Sequence, residues 1–164
     1  MGDFLEREVN NMSCNRYKNR NYKSALQYFN TTAQAIAVTD VITNPLLVDL
    51  GLATTNTGVA FDFNGNEFDV DFSGLYQFMN EVSITGTTAG DVFVGLTIDG
   101  VLVPETLRQQ TLVVGATVTV PLTLIKQLST CCANTNKSIR LIVYSDGTAT
   151  GTISRVSGNA LKLA

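Results

Sequence analysis

The segment FDVDFSGLYQF, residues 68–78, alternates large apolar side chains with charged ones. Phe68, Val70 and Phe72 occupy every second position, and Asp69 and Asp71 lie between them. Successive side chains of a β-strand point to opposite faces, so the pattern predicts a strand with one face in a core and the other in water. A shift of one residue would bury both carboxylates, and the register is therefore strongly constrained.

Ser73-Gly74 interrupts this alternation and predicts a turn or bulge, after which Tyr76 and Phe78 share one face of a longer strand. Similar short β segments fill the chain from residue 33 onward. They are separated by the turn pairs Asn64-Gly65, Asp99-Gly100, Asp146-Gly147 and Ser157-Gly158. This spacing predicts an all-β sandwich or barrel over residues 33–164.

The composition indicates a surface that is partly covered by other molecules. Hydrophobic residues make up 45% of the chain and charged residues 15%, against about 25% charged residues in typical soluble domains. The net charge is −3, yet residues 1–23 contain five of the eleven basic residues and only three acids. A basic tail thus precedes an acidic body.

Residues 1–32 are predicted to form an N-terminal anchoring arm. The segment NYKSALQYF within it is compatible with one or two helical turns. Docking onto an acidic, aromatic-lined protein surface is favoured over binding of nucleic acid, because Tyr and Arg are common interface anchors and four charges are few for a nucleic-acid site. The candidate anchoring residues are Arg16, Tyr17, Lys18, Arg20, Tyr22, Lys23, Tyr28 and Phe29.

Catalytic and metal chemistry find little support in the sequence. The chain contains no histidine, which excludes Ser-His-Asp and Cys-His arrangements. Cys14, Cys131 and Cys132 lack the spacing of a zinc site and suggest reduced thiols of a protein made in a cytosol. A thiol cluster across a symmetry axis is the alternative for them.

The acidic residues give only weak indications of catalysis or metal binding. Asp69, Asp71 and Glu67 are expected to be solvated on the outer strand face, because nothing in the sequence would raise their pKa values. Asp62, Asp91 and Asp99 lie near turns and are minor candidates for calcium ligands. We predict no enzyme activity, no metal and no cofactor.

Neither a membrane span nor a secretion signal is expected. No stretch approaches the run of about 18 apolar residues that a membrane helix needs, and the N-terminal residues lack the apolar core of a signal peptide.

The segment TGVAFDFNGNEFDVDFSGLYQFMNEVSI resembles the central signature of the tumour-necrosis-factor and complement-globular-head superfamily. The C-terminal IRLIVYSDGTATGTISRVSGNALKLA is similar to the closing strands of its bacterial and bacteriophage branch, which includes collagen-like spore-surface glycoproteins. The resemblance implies a jelly roll of about ten strands that forms a homotrimer. Residues assigned to the core or the trimer seam are Phe61, Phe63, Phe68, Val70, Phe72, Tyr76 and Phe78.

No Gly-X-Y collagen stalk precedes the domain, and the basic arm stands in its place. This arrangement resembles a bacteriophage head fibre or capsid-decoration protein, made in the bacterial cytoplasm and attached to a virion protein through its arm. The loops at 85–90 and 129–138 are candidates for contact with a host-surface glycan. The alternatives are a spore-surface or secreted adhesion module, and a nucleic-acid-binding accessory protein that acts through the arm.

Overall fold

The computed structural model describes residues 23–130 and 136–164. In this part of the chain thirteen strands and one short 3₁₀ turn, Pro104–Thr106, follow one another. The strands are β1 (Ser24–Asn30), β2 (Gln34–Ile36), β3 (Leu46–Leu47), β4 (Leu52–Thr57), β5 (Phe61–Phe63), β6 (Phe68–Val70), β7 (Gly74–Thr88), β8 (Gly90–Ile98), β9 (Val101–Leu102), β10 (Arg108–Leu112), β11 (Thr117–Leu128), β12 (Lys137–Ser145) and β13 (Thr150–Lys162).

The strands form two antiparallel sheets. Sheet 1 has the order β11-β7-β13-β1-β4, and sheet 2 has the order β10-β8-β12-β6-β5. The two- and three-residue strands β2, β3 and β9 add to β13, β12 and β8, respectively. The ten principal strands confirm the predicted all-β jelly roll. No helix in the described residues is long and apolar enough to cross a membrane.

Alternating apolar side chains of both sheets meet in the core. Phe68 of sheet 2 lies 5.9 Å from Phe78 of sheet 1, measured between ring centres, and Phe61 lies 5.8 Å from Tyr76 in an edge-on arrangement. These four side chains are buried. Each fully buried aromatic side chain contributes about 2 kcal/mol or more of hydrophobic stabilisation, so this cluster binds the two sheets together.

The predicted boundary at residue 33 is wrong, because β1 is an interior strand of sheet 1. It pairs with β13 on one side and β4 on the other. Leu26 and Tyr28 point into the core, so no helical turn forms here. The alternation was obscured by the polar ends of the strand. Ser24 accepts a hydrogen bond from the Ala60 N–H, and Asn30 donates one to the Asp49 carbonyl.

Two predicted turns also differ from the structure. Ser157-Gly158 does not end a strand, since β13 continues through both residues. The loop expected at 85–90 is much shorter, because β7 runs to Thr88 and β8 begins at Gly90. Gly90 has φ of 147°, a conformation that favours glycine, and allows the chain to pass from sheet 1 to sheet 2 with one connecting residue.

Candidate subunit interface

The outer face of sheet 1 is a broad surface that faces away from the core. Residue alternation in its strands places one set of side chains inside and the other set outside. We define the outer face of sheet 1 by four neighbouring strands of that sheet, β11, β7, β13 and β1. Its side chains include Ala25, Gln27, Phe29, Leu75, Gln77, Met79, Glu81, Ser83, Thr85, Thr117, Thr119, Pro121, Thr123, Ile125, Gln127, Thr152, Arg155, Ser157, Asn159 and Leu161.

The strand register places these side chains in rows that run across the sheet. We call each row of side chains at paired positions on neighbouring strands a rung. Ile125, Gln77 and Leu161 form one rung, because Ile125 and Leu161 both lie opposite Gln77 on its two neighbouring strands. At the other end of β7 the rungs consist of hydroxyl groups. Ser83 lies 3.0 Å from Thr119, measured between hydroxyl oxygens, and Thr85 lies 2.7 Å from Thr117. The face is therefore apolar and amide-rich at one end and hydroxyl-rich at the other.

Charge distinguishes the two sheets. Among described residues, Glu81 and Arg155 are the charged side chains that point outward from the four strands of this face. Sheet 2 carries the ion pair between Lys137 and Asp99, at 2.6 Å, and a second between Arg140 and Glu67. Because the centres of protein interfaces are depleted in charge, the outer face of sheet 1 is the better candidate for a subunit contact.

A shallow groove of about 490 Å³ crosses the middle of this face. Met79 and Pro121 give it an apolar wall, Gln27, Thr123 and Asn159 supply amide and hydroxyl groups, and Glu81 adds one carboxylate. Such a mixture suits the contact surface of another protein chain, which fills grooves with apolar side chains and pairs the polar groups at their margins.

Beneath the groove lies a buried polar pair. The Tyr28 hydroxyl donates a hydrogen bond to Oδ1 of Asn80, and Asn80 is only 3% exposed. Nδ2 of Asn80 has no hydrogen-bond partner within the described residues. Burial raises the pKa of Tyr28 far above its usual value, which keeps the phenol protonated as a donor.

Five of the eight predicted arm residues lie in the part of the chain that the structure does not describe. Arg16, Tyr17, Lys18, Arg20 and Tyr22 lie outside the described residues, as do Cys14, Cys131 and Cys132.

The remaining three arm candidates lie in or beside β1. Lys23 is exposed immediately before this strand. Tyr28 is part of the core and is not available to anchor a partner. Phe29 is 41% exposed on the outer face of sheet 1, where the guanidinium carbon of Arg155 lies 5.4 Å from its ring centre. Phe29 is therefore part of the candidate interface.

The residues predicted for the core or seam lie between the two sheets. Phe61, Phe68, Val70, Tyr76 and Phe78 are buried, and Phe63 and Phe72 are half-buried against them.

The outer-face residues Met79, Ile125 and Leu161 are not among the residues predicted from the sequence. Their signal was present in the long strands, where the positions that alternate with the core carry uncharged side chains instead of the usual charged ones.

Asp69 of β6 and Asp71, which follows that strand, depart from their predicted solvated state. Asp62 lies directly opposite Asp69 in the strand pair. Partial burial, followed by the charges of Glu67 and Asp62, raises the pKa of Asp69. Partial burial and the neighbouring carboxylates Asp62 and Asp69 likewise raise the pKa of Asp71. Like charges on one strand pair are destabilising.

The other calcium candidates already have partners of their own. Asp91 accepts hydrogen bonds from Gln109 and Thr111, and Asp99 pairs with Lys137. No group of three or more metal-ligating side chains occurs within residues 23–130 and 136–164.

The described strands form two antiparallel sheets packed as a jelly roll, with five strands on the main path of each sheet. No family model and no curated protein sequence matches the chain. The fold is therefore identified through solved structures.

Three solved structures illustrate the likeness. Murine APRIL at pH 5.0 has a TM-score of 0.61 and 12% sequence identity, over 87% of this chain and 100% of that chain. The globular domain of zebrafish complement 1qA protein has a TM-score of 0.59 and 9% identity, over 87% and 98%. The PRD1 vertex protein P5 has a TM-score of 0.55 and 15% identity, over 86% and 97%. At these identities the likeness establishes the fold alone.

Proposed function

We propose that the protein is a non-enzymatic structural protein of a bacteriophage particle, a head-fibre or capsid-decoration homotrimer. The main observation that supports a trimer is the low charge on the outer face of sheet 1. This face spans four strands and presents only Glu81 and Arg155 as charged groups among the described residues. Exposed Ile125 and Phe29 on this face would be removed from water by a neighbouring subunit.

A cyclic trimer is a simple way to cover such a face. In a closed ring, each subunit presents one part of its surface to one neighbour and a different part to the other. Four strands side by side, at about 4.8 Å spacing, are wide enough to offer two such parts on the same face. The core between the two sheets is complete without a partner, so each subunit enters the ring as a folded jelly roll.

Two observations support the virion assignment. The PRD1 vertex protein P5 shares the fold, and the basic, aromatic segment that contains Arg16, Lys18 and Arg20 precedes β1. We propose that this segment attaches the trimer to a capsid or other virion protein. The exposed end of the trimer would then be free to meet a host-surface glycan.

The first experiment is a mass measurement of the purified full chain by light scattering at micromolar concentration. We expect three times the chain mass of 17.6 kDa. A mass equal to one chain would overturn the trimer.

The second experiment locates the protein by electron microscopy and mass spectrometry of purified phage particles. We expect projecting knobs on the capsid. Recovery from spore coats alone would instead support an adhesion module. Steeply salt-dependent DNA binding that requires residues 1–22 would support a nucleic-acid accessory protein.

A further inference from the structure

Glu81 and Arg155 lie at nearly the same height on the outer face of sheet 1. Glu81 of β7 is opposite Ser157 of β13, and Arg155 of β13 is opposite Ser83 of β7. The two charged positions are therefore one rung apart on neighbouring strands. Every other outward position of the four strands carries an uncharged side chain.

The two side chains do not pair with each other within one chain. The ion pairs between described residues join Lys126 to Glu105, Lys137 to Asp99, and Arg140 to Glu67. Arg155 instead lies over the Phe29 ring, 5.4 Å from its centre. That cation–π contact holds the guanidinium close to the sheet surface without using its N–H donors.

Covering this face with another subunit removes both charges from water. An ionised side chain buried at an interface without a partner is strongly unfavourable, whereas a hydrogen-bonded pair of opposite charges is tolerated and selects one arrangement of the subunits. Rotation about an axis that runs along the strands keeps each group at its own height. Groups one rung apart can therefore meet across the boundary between subunits.

We propose that Glu81 of each subunit forms an ion pair with Arg155 of the neighbouring subunit, so that three such pairs close the ring. This inference rests on the trimer of the proposed function. The pair specifies how each subunit is turned toward its neighbour, because a different orientation about the strand direction would place Arg155 against uncharged side chains. Phe29 is a positioning residue in this arrangement, since it orients the guanidinium.

Charge reversal of the full chain tests the pair. Glu81→Arg and Arg155→Glu are measured singly and together, with light scattering over a concentration series and circular dichroism as a check of folding. Arg108→Glu, an exposed reversal on β10 of sheet 2, is the matched control. We expect each single reversal at positions 81 and 155 to raise the trimer dissociation constant by at least about tenfold. The combined reversal should restore assembly, and the control should leave it unchanged.

The outcomes separate the inference from the proposed function. A wild-type monomer would overturn the trimer, and the ion pair with it. A wild-type trimer that survives both single reversals would overturn the ion pair alone. Single reversals that dissociate the trimer without recovery in the combined variant would also overturn the pair, because each charge would then act separately.

Discussion

The Tyr28 hydroxyl donates a hydrogen bond to Asn80 across a strand that separates the two residues. Tyr28 belongs to β1 and Asn80 to β7, and β13 lies between these strands in sheet 1. The bond passes beneath Gly158 of β13, where a Cβ atom would collide with the Asn80 amide and the Tyr28 ring. Glycine in mid-strand thus allows a connection between strands that are not neighbours.

Replacement of Gly158 by alanine is expected to destabilise the domain. The added methyl group collides with two buried side chains, and overpacking of this kind costs about 1–3 kcal/mol. Urea unfolding of Gly158→Ala gives the loss directly. Ser157→Ala, on the outward side of the same strand, is the control and should stay within about 0.5 kcal/mol of the wild type. Equal unfolding midpoints for the two variants would show that the strand relaxes around the methyl group.

Tyr28→Phe should cost about 1–3 kcal/mol, because it leaves the buried Oδ1 of Asn80 without its donor. A double-mutant cycle with Asn80→Ala measures how strongly the two residues are coupled. The combined variant should lose less stability than the sum of the two single variants, since the second change removes a bond already broken. Additive losses in denaturant unfolding would mean that the hydrogen bond contributes no stability.

Asp71→Asn should stabilise the domain at neutral pH. Burial and nearby carboxylates raise the pKa of Asp71 in the folded protein, so the folded state binds a proton more tightly than the unfolded one. Stability is consequently lost as the pH rises through the folded pKa. Because the Asp71 carboxyl is partly exposed, solvent screens its interactions. We therefore expect Asp71→Asn to raise the free energy of unfolding by only about 0.5 kcal/mol at pH values above the folded-state pKa.

Asp99→Asn is the control, and we expect this substitution to change the stability of the domain in the opposite direction. Lys137 holds the pKa of Asp99 below its usual value. The stabilisation that ionised Asp99 gives the folded state is therefore present above the ordinary carboxyl pKa, and it is lost as the pH falls through the lowered pKa of the folded protein. Thermal unfolding from pH 3 to 7 checks both variants. The Asp71→Asn and wild-type curves should converge at low pH, where carboxyls are protonated. A constant offset at all pH values would mean that the effect is not electrostatic.

Ile125→Asp is expected to abolish trimer formation while the subunit stays folded. Ile125 is 57% exposed on the outer face of sheet 1, so the substitution places a charge in the proposed contact without disturbing the core. Val101→Asp is matched to it, since Val101 is 70% exposed at the β8–β9 turn of sheet 2. Light scattering should find a monomer for the first variant and a trimer for the second. The opposite result would place the subunit contact on sheet 2.

Deletion of residues 1–22 is expected to leave the thermal unfolding midpoint and the trimer unchanged, but to prevent attachment to virions. Deletion of residues 1–30 should prevent folding, because it removes the interior strand β1. Circular dichroism and co-sedimentation with particles that lack the protein measure the two effects. Co-sedimentation of the shorter deletion at the wild-type level would show that the anchor lies elsewhere.

The alternation of apolar and polar residues in the sequence predicted most of the strands. The alternation at Phe68 and Val70, and again at Tyr76 and Phe78, correctly assigned these residues to strands, whereas Phe72 lies beyond the end of β6 at Val70. Such a signal is local, since it requires only that one strand face meets a core. The same local rules misplaced β1 and Ser157-Gly158. Ser24 and Asn30 are polar but buried, and Gly158 is needed by residues far away in the chain.

The sequence by itself determined the fold class and the turn positions at Asn64-Gly65 and Asp99-Gly100. Only the tertiary structure decided that Tyr28 is a core residue and that Phe29, Met79, Ile125 and Leu161 share one nearly uncharged face. The physical reason is that a face is created by strand order. Its members come from β1, β7, β11 and β13, and pairing between distant segments brings them together.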